Sequence, residues 1–357
     1  MTVCPGLLSG ISGRRPVDRP DMAETELGFG ERAAFIAGPA KSGTTLLVAL
    51  LDSHPELLVF PQETAYFPTV LTKYGSRGRR AQFDYLTKQS LANVLFGGPP
   101  KWGKHEYHDF PTQQFLETFE RAAFDSANAD KDLLVLMIES YAAVLGIPLD
   151  RIKRWVEKTP ANRNYISAIF ARFPRTKLIV TLRDPRAILA AQIALEKERK
   201  TGRFSAYYVI AHWRVAAKLA RRVLTGEQTG VVVQYENLAR DPALWMKRVC
   251  DYLEVGYAPE TVLTPTKAGQ CWSGNSATKV GFTEISTEPV TRWERELSRD
   301  EIGWVEWHCR ELMSEFGYEP RLGERSLRAF VAPIRGERPK EYLKSRAYSF
   351  RDQLVGR

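Results

Sequence analysis

"AAFIAGPAKSGTTLLVALLDSHP", Ala33 to Pro55, decides the fold. Ala33 to Ala37 is an apolar run of strand length that stops at Gly38, and from Thr44 to Leu51 the pattern turns helical. The loop between them therefore joins a buried strand to a helix. Gly38 and Gly43 let amide groups close around a phosphate without Cβ clashes, while the helix adds unbonded N–H groups and the positive end of its dipole. The two glycines have the separation of those in G-x-x-x-x-G-K-[ST], yet Thr44 stands where that motif has its lysine, and the lysine is found inside the loop as Lys41. A lysine at the loop's end reaches the β and γ phosphates of a triphosphate. One inside the loop would instead lie beside a group carried on a 5′ phosphate, with Ser42, Gly43, Thr44 and Thr45 around that phosphate. A glycine-rich turn without a ligand is the alternative.

Strand-like and helical stretches alternate along the rest of the chain. "KLIVTL" (Lys177 to Leu182) and "GVVVQY" (Gly230 to Tyr235) read as buried strands, Leu133 to Ile138 as another, and "LLVF" after the first helix as a second short apolar run. Helical patterns cover Asn164 to Phe173, Arg186 to Arg199, Tyr207 to Leu224 and Leu244 to Leu253. The expected fold is α/β, a P-loop three-layer sandwich with a central parallel sheet flanked by helices, and ligands are expected at the carboxyl ends of its strands.

Composition permits this. The chain has 357 residues, 44% of them hydrophobic, ample for a buried core. No run approaches the roughly 20 apolar residues of a membrane span, and the N-terminus lacks a basic segment leading into an apolar core, so a cytoplasmic protein is expected. Cys4, Cys250, Cys271 and Cys309 are too scattered for a zinc site and too few for a disulfide framework. The net charge of +9 suits anionic ligands, but from Arg325 to Arg357 nine Lys/Arg stand against three Asp/Glu. That stretch reads as a solvated basic tail rather than a nucleic-acid arm, since no zinc finger or RNA-binding motif accompanies it. The expected organisation is a disordered segment over 1–30, one domain over 31–324 with a variable region at 70–132, and the tail over 325–357.

"KSGTT" followed by "LLDSHP" closely resembles the 5′-phosphosulfate loop of sulfotransferases, which use 3′-phosphoadenosine 5′-phosphosulfate, PAPS. The resemblance implies a second anion site after a strand, where an arginine holds the 3′ phosphate and a serine eight positions later assists. Arg183 in "RDPRAILAAQ" is that arginine, and its guanidinium suits a phosphate; the serine's position is taken by Ala191. "YENLARDP", with Tyr235 at the adenine, and "NSATKVGF" then "VTRWERELS", with Lys279 as a second 3′-phosphate ligand and a tryptophan-bearing helix closing over the nucleotide, match further segments of the family. The resemblance spans roughly Phe35 to Leu312.

Sulfuryl transfer needs a base for the acceptor proton. In sulfotransferases resembling the heparan sulfate and tyrosylprotein enzymes a glutamate takes this role, and "FPQETAYF" places Glu63 there; Gln62 stands where heparan-type members commonly have a lysine. "EKTP" matches the "EK-S/T-P" segment, so Lys158 would carry positive charge toward the bridging oxygen or the acceptor, with an ion pair between Glu157 and an arginine as the structural alternative. His105 and His108 are the competing bases, since phenol and steroid sulfotransferases use a histidine, but their local motif is missing. The resemblance implies transfer from PAPS to a hydroxyl or amine of a small-molecule or glycan acceptor, with PAP as product, no metal, and no nucleic acid partner. Arg77, Arg79, Arg80, Trp102 and Tyr107 could face that acceptor. A P-loop nucleotide kinase and a non-catalytic nucleotide-binding relative are the alternatives.

Overall fold

The structure, a computed structural model, describes residues 27–90, 110–202, 204–272, 285–322 and 327–354. Five strands form one parallel sheet: β1 (Ala33–Ala37), β2 (Leu57–Val59), β3 (Arg154–Lys158), β4 (Lys177–Leu182) and β5 (Val231–Gln234), in the order β2-β3-β1-β4-β5. Every neighbouring pair is parallel, with Ile36 opposite Lys158 and Ala37 opposite Val180. The carboxyl ends of the three central strands therefore lie side by side.

The period-two alternation of β1 divides the core. Ala33, Phe35 and Ala37 belong to a cluster on one face with Trp155, Phe173 and Trp213, while Ala34 and Ile36 belong to a cluster on the other with Val156, Ile179 and Val233. Helices α1 (Thr44–Leu51) and Pro242–Leu253 supply Leu47, Leu51, Met246 and Val249 to the second cluster. Both faces are covered, which is why β1 is apolar along its whole length. The expected three-layer α/β architecture is the observed one.

The elements after β2 differ from expectation in two places. After α2 (Gly78–Tyr85) and α3 (Thr112–Phe124), the run Leu133 to Ile138, expected to be a strand, opens α4 (Leu133–Val144). Asp132 caps that helix, its carboxylate accepting from the Leu134 N–H at 2.8 Å. Leu133 through Ile138 are all buried, and a helix apolar on every side shows no period by which to tell it from a strand. The strand that actually lies beside β1 is β3, "RWVEK", whose charged residues conceal it in the sequence. All five of its residues are buried. Arg154 reaches Glu254, Glu157 is enclosed by hydrogen-bond donors, and Lys158 bonds Glu63, so each charge has a partner where the sheet buries it.

Apart from several short turns of three to five residues, the helices that follow are α5 (Ile166–Arg172), α6 (Pro185–Arg199), α7 (Ala206–Leu224), α8 (Tyr235–Arg240), α9 (Pro242–Leu253), α10 (Arg299–Glu315), α11 (Leu327–Val331) and α12 (Pro339–Leu354). The stretch read as a solvated basic tail thus contains two helices, and Ser345 of α12 is fully buried against Ser205, 3.0 Å between hydroxyl oxygens. Its basic residues pair locally, Arg335 with Glu301 and Arg346 with Glu337, which a count of charges could not reveal. Of the segment expected to be disordered, residues 1–26 lie outside the described residues.

Candidate active site at the carboxyl edge of the sheet

The loop after β1 is tightly held. A Cβ on Gly38 would overlap the Thr181 side chain and stand 2.7 Å from its carbonyl oxygen, and Gly43 has φ +90° with the Tyr235 ring 2.7 Å from where its Cβ would be. Arg163 donates to the Gly38 carbonyl at 3.1 Å and to the Pro160 carbonyl at 2.8 Å, fixing the loop to the turn after β3. The Ser42 hydroxyl donates to the Pro39 carbonyl at 2.7 Å and lies 2.6 Å from Thr181 Oγ1, so that side chain closes the loop from inside. What the loop leaves for a ligand are the first-turn amides of α1, which have no acceptor within the helix and no capping side chain on Gly43.

Lys41 sits in this loop with φ 71°. Burial pushes its ammonium down to about 8, helped by the positive charges of Arg199, Arg183 and, more weakly, Arg292, while Glu198 works the other way. Arg183, at the carboxyl end of β4, donates to the Lys41 carbonyl at 3.0 Å and to the Pro289 carbonyl at 2.5 Å, and its guanidinium carbon stands 4.3 Å over the Tyr235 ring. Its Nε is buried without an acceptor. The loop, Arg183 and Tyr235 are thereby one cluster, which the sequence order could only suggest.

On the other side of β1, Lys158 donates to Glu63 Oε1 at 2.6 Å and reaches Thr45 Oγ1 at 3.5 Å. Lys158 thus bridges Glu63 and Thr45, a grouping the sequence did not specify. Glu157, read as a possible ion-pair partner of an arginine, instead accepts from the Thr64 hydroxyl at 2.9 Å, the Thr64 N–H at 3.2 Å, the Thr159 hydroxyl at 2.6 Å and the Asn162 amide at 2.7 Å. Burial raises its carboxyl above the ordinary range, opposed by those same donors. Thr159 Oγ1 also accepts from the Ala65 N–H at 3.2 Å, and Ala65 holds φ 51°. Glu157 and Thr159 therefore anchor the residues that follow Glu63, a supporting role the sequence did not disclose.

A scan against family models matches the "Sulfotransferase family" over residues 33–259. The chain belongs to the sulfotransferase family. Among curated relatives, it is 23% identical over 295 residues to a protein-tyrosine sulfotransferase of Drosophila melanogaster, covering 80% of this chain and 51% of that one. It is 22% identical to protein-tyrosine sulfotransferase A of Caenorhabditis elegans, covering 80% of this chain and 67% of that one. The chain thus spans about half the length of the fly relative. Among solved structures, the sulfotransferase domain from the Synechococcus PCC 7002 olefin synthase aligns with a TM-score of 0.48 at 20% identity, over 80% of this chain and 94% of the other.

Several family segments of this sulfotransferase have structural rather than ligand-facing side chains. His54 of "LLDSHP" accepts from the Glu56 N–H at its Nδ1, 3.1 Å, so its Nε2 carries the proton donated to the Gly256 carbonyl at 2.6 Å. Glu236, after Tyr235, accepts from the Asp184 N–H and from the Tyr318 hydroxyl, both at 2.9 Å. Trp293, expected to close over the nucleotide, is buried with the Arg186 guanidinium 4.1 Å over its ring. It is the neighbouring Pro289 carbonyl and Val290 that reach Arg183 and the Tyr235 cluster. Ala191 is buried on α6.

Arg79 donates to the carbonyls of Ala123, Asn128, Ala129 and Lys131, Arg80 pairs with Glu120, and Arg77 stacks on Tyr74, so these three arginines serve the local fold. Lys279, His105, His108, Trp102 and Tyr107 lie outside the described residues. Arg199 and Arg292, by contrast, were not singled out in the sequence; both bear electrostatically on Lys41 from positions distant in the chain, where no motif marks them.

Proposed function

We propose that this sulfotransferase uses PAPS and transfers its sulfuryl group to a hydroxyl or amine acceptor, with Glu63 as the base. The observation that carries the reading is the contact of Glu63 with Lys158, and of Lys158 with Thr45, at the first turn of the helix that follows the lysine-bearing loop. The loop fits a nucleotide carrying two separate phosphates. Lys41 has its ammonium depressed among Arg199, Arg183 and Arg292, and the buried Arg183 Nε lacks an acceptor. Lys41, Arg183 and Arg199 bring positive charge together there, which suits dianionic groups, while Arg292 is paired with Glu288 and Glu296.

PAPS, when bound, supplies an activated sulfuryl group. Lys41, the α1 amides, Thr44 and Thr45 would hold its 5′ side, Arg183 and Lys279 its 3′ phosphate, and Tyr235 would border the adenine. Glu63 takes the proton from the acceptor oxygen or nitrogen, and Lys158 keeps the carboxylate oriented by its 2.6 Å hydrogen bond. Lys41 would place its positive charge beside the bridging oxygen, where negative charge builds as the bond from sulfur to the 5′ phosphate breaks. Ser42 contributes through backbone shape rather than its hydroxyl, which is occupied within the loop.

The two curated relatives are named for protein tyrosine. A tyrosine side chain therefore joins sugars, phenols and hydroxylated lipids as acceptors to assay. Calorimetry with PAP and with ATP, each with and without Mg²⁺, followed by sulfate-transfer assays on that panel, tests the reading. Binding of PAP without Mg²⁺ and turnover of one acceptor are expected; Mg²⁺-dependent ATP binding without PAP binding would favour the kinase, and PAP binding with no turnover the non-catalytic relative.

A further inference from the structure

The chain continues beyond the family match, which ends at residue 259, and its last helices come back to the start of α7. Between α11 and α12 stands Glu337, its side chain fully buried. One of its oxygens accepts from the Ala206 N–H at 2.8 Å, in the first turn of α7, and from the Ser345 hydroxyl at 2.6 Å; Arg346 is 3.8 Å from the other. A carboxylate at a helix start is favoured by both the free amides and the dipole. Around it Ser345 meets Ser205, Gly336 (φ +90°) backs onto the Phe204 ring, Gly202 (φ +66°) lies beneath the Arg338 guanidinium, and Tyr348 stands 5.1 Å from Tyr207.

The same connection is also held from α6, beside Gly336. Glu196 of α6 accepts from the Gly202 N–H and from the Thr201 hydroxyl, both at 2.5 Å. Between α6 and this connection is a cavity of about 180 Å³ lined by Gln192, Leu195, Glu196, Arg199, Thr201 and Phe204. Arg199 on its wall is close enough to Lys41 to bear on its charge. Thr201 and Phe204 of its wall belong to the connection that the C-terminal helices grip.

We infer that the C-terminal helices form a clasp, centred on Glu337, that holds the connection after α6 and so positions Thr201 and Phe204 as part of the wall of a subsite for the part of the acceptor that does not react. Calling the ligand an acceptor rests on the proposed sulfuryl transfer. Glu337 is a positioning residue, acting through Ala206 and Ser345.

Hydrogen exchange with mass spectrometry and kinetics test this on the full chain. In Glu337→Ala, amides of 196–206 should exchange at least about tenfold faster. KM should rise about fivefold or more for whichever of p-nitrophenol or a tyrosine-bearing peptide the unmutated protein sulfates, with PAP affinity held within about twofold. Glu337→Gln, whose amide oxygen still accepts from Ala206, should restore most of both. Ser345→Ala, a milder change should Glu337→Ala fail to fold, should move both readouts the same way. Unchanged exchange in the folded variants, or a loss of PAP affinity in step with the rise in KM, would overturn the clasp. If the unmutated protein bound no PAP, the transfer reading would fail, while the exchange measurement would still decide the clasp.

Discussion

Lys158 Nζ stands 2.6 Å from Glu63 Oε1, with the lysine side chain nearly buried and that of the glutamate half exposed. The lysine comes from the end of the central strand β3, whose register sets it opposite Ile36, and the glutamate from the turn after β2. The buried strand thus holds one oxygen of the carboxylate through Lys158. Glu63→Gln, which keeps the shape but removes the basic oxygen, should lower the turnover number at least about 10²-fold with PAP affinity nearly unchanged. Lys158→Ala should also lower turnover, and the double variant should lose less than the product of the two, because the residues act as a unit. Full turnover in Glu63→Gln, with loss in His105→Ala or His108→Ala, would move the base to a histidine.

Arg183→Ala should weaken PAP by about 1.5–3 kcal/mol, the scale of a charge-assisted contact, and leave adenosine 5′-phosphosulfate little affected. The control matters because Arg183 also ties the Lys41 carbonyl to the Pro289 carbonyl. Equal losses for both nucleotides, measured by calorimetry, would assign Arg183 to loop architecture alone.

Ala191→Ser restores a hydroxyl at the position where the family carries a serine. PAP should bind modestly tighter, by up to about 1 kcal/mol. Weaker binding would show that the buried position has no room for the oxygen.

Lys41 carries a pH signature. Its ammonium in the free protein titrates at about 8. A bound anion favours the charged form, so the complex holds more protons than the free protein above that pH, and PAP affinity should fall as pH rises through 8 by up to about tenfold per unit. Lys41→Met should bind PAP more weakly and show a flatter profile over the same window. An identical profile in both proteins would place the titration elsewhere.

Glu157→Ala leaves the Thr64 N–H, two hydroxyls and the Asn162 amide without their common acceptor, and should cost on the order of 3 kcal/mol in denaturant unfolding. Glu157→Gln should cost less. Because the folded carboxyl titrates above its ordinary value of 4.5, its contribution to stability is greatest below that pH and declines as pH rises toward the folded value. The glutamine variant lacks this titration, so its stability relative to the unmutated protein should improve as pH rises above 4.5.

Much of the fold was legible because its elements carry local signals. The run of β1 is apolar throughout and those of β4 and β5 mostly so, as strands covered on both faces commonly are, and glycine, proline and capping residues bound the helices. Two elements defied that logic for one reason. Leu133 to Ile138 is buried on every side, which erases the period separating helix from strand, and β3 is a core strand whose three charged residues find partners only in the folded chain.

By itself the sequence determined the loop from Gly38 to Gly43 between strand and helix, the lysine within it, the strand-end position of Arg183 and the family to which the chain belongs. Those are properties of residue type and spacing along one short stretch at a time. The tertiary structure decided which groups meet: Glu63 with Lys158 across two strands, Arg183 with the Lys41 carbonyl and the Tyr235 ring, Glu157 with the turn behind Glu63, and Glu337 with the first turn of α7. It also decided that Ser42 and Trp293 face inward and that the basic C-terminal stretch is folded onto the core. Hydrogen bonds and desolvated charges act over a few ångströms, and the partners lie tens to hundreds of residues apart in the chain, so only the packing of the sheet and its helices brings them within range.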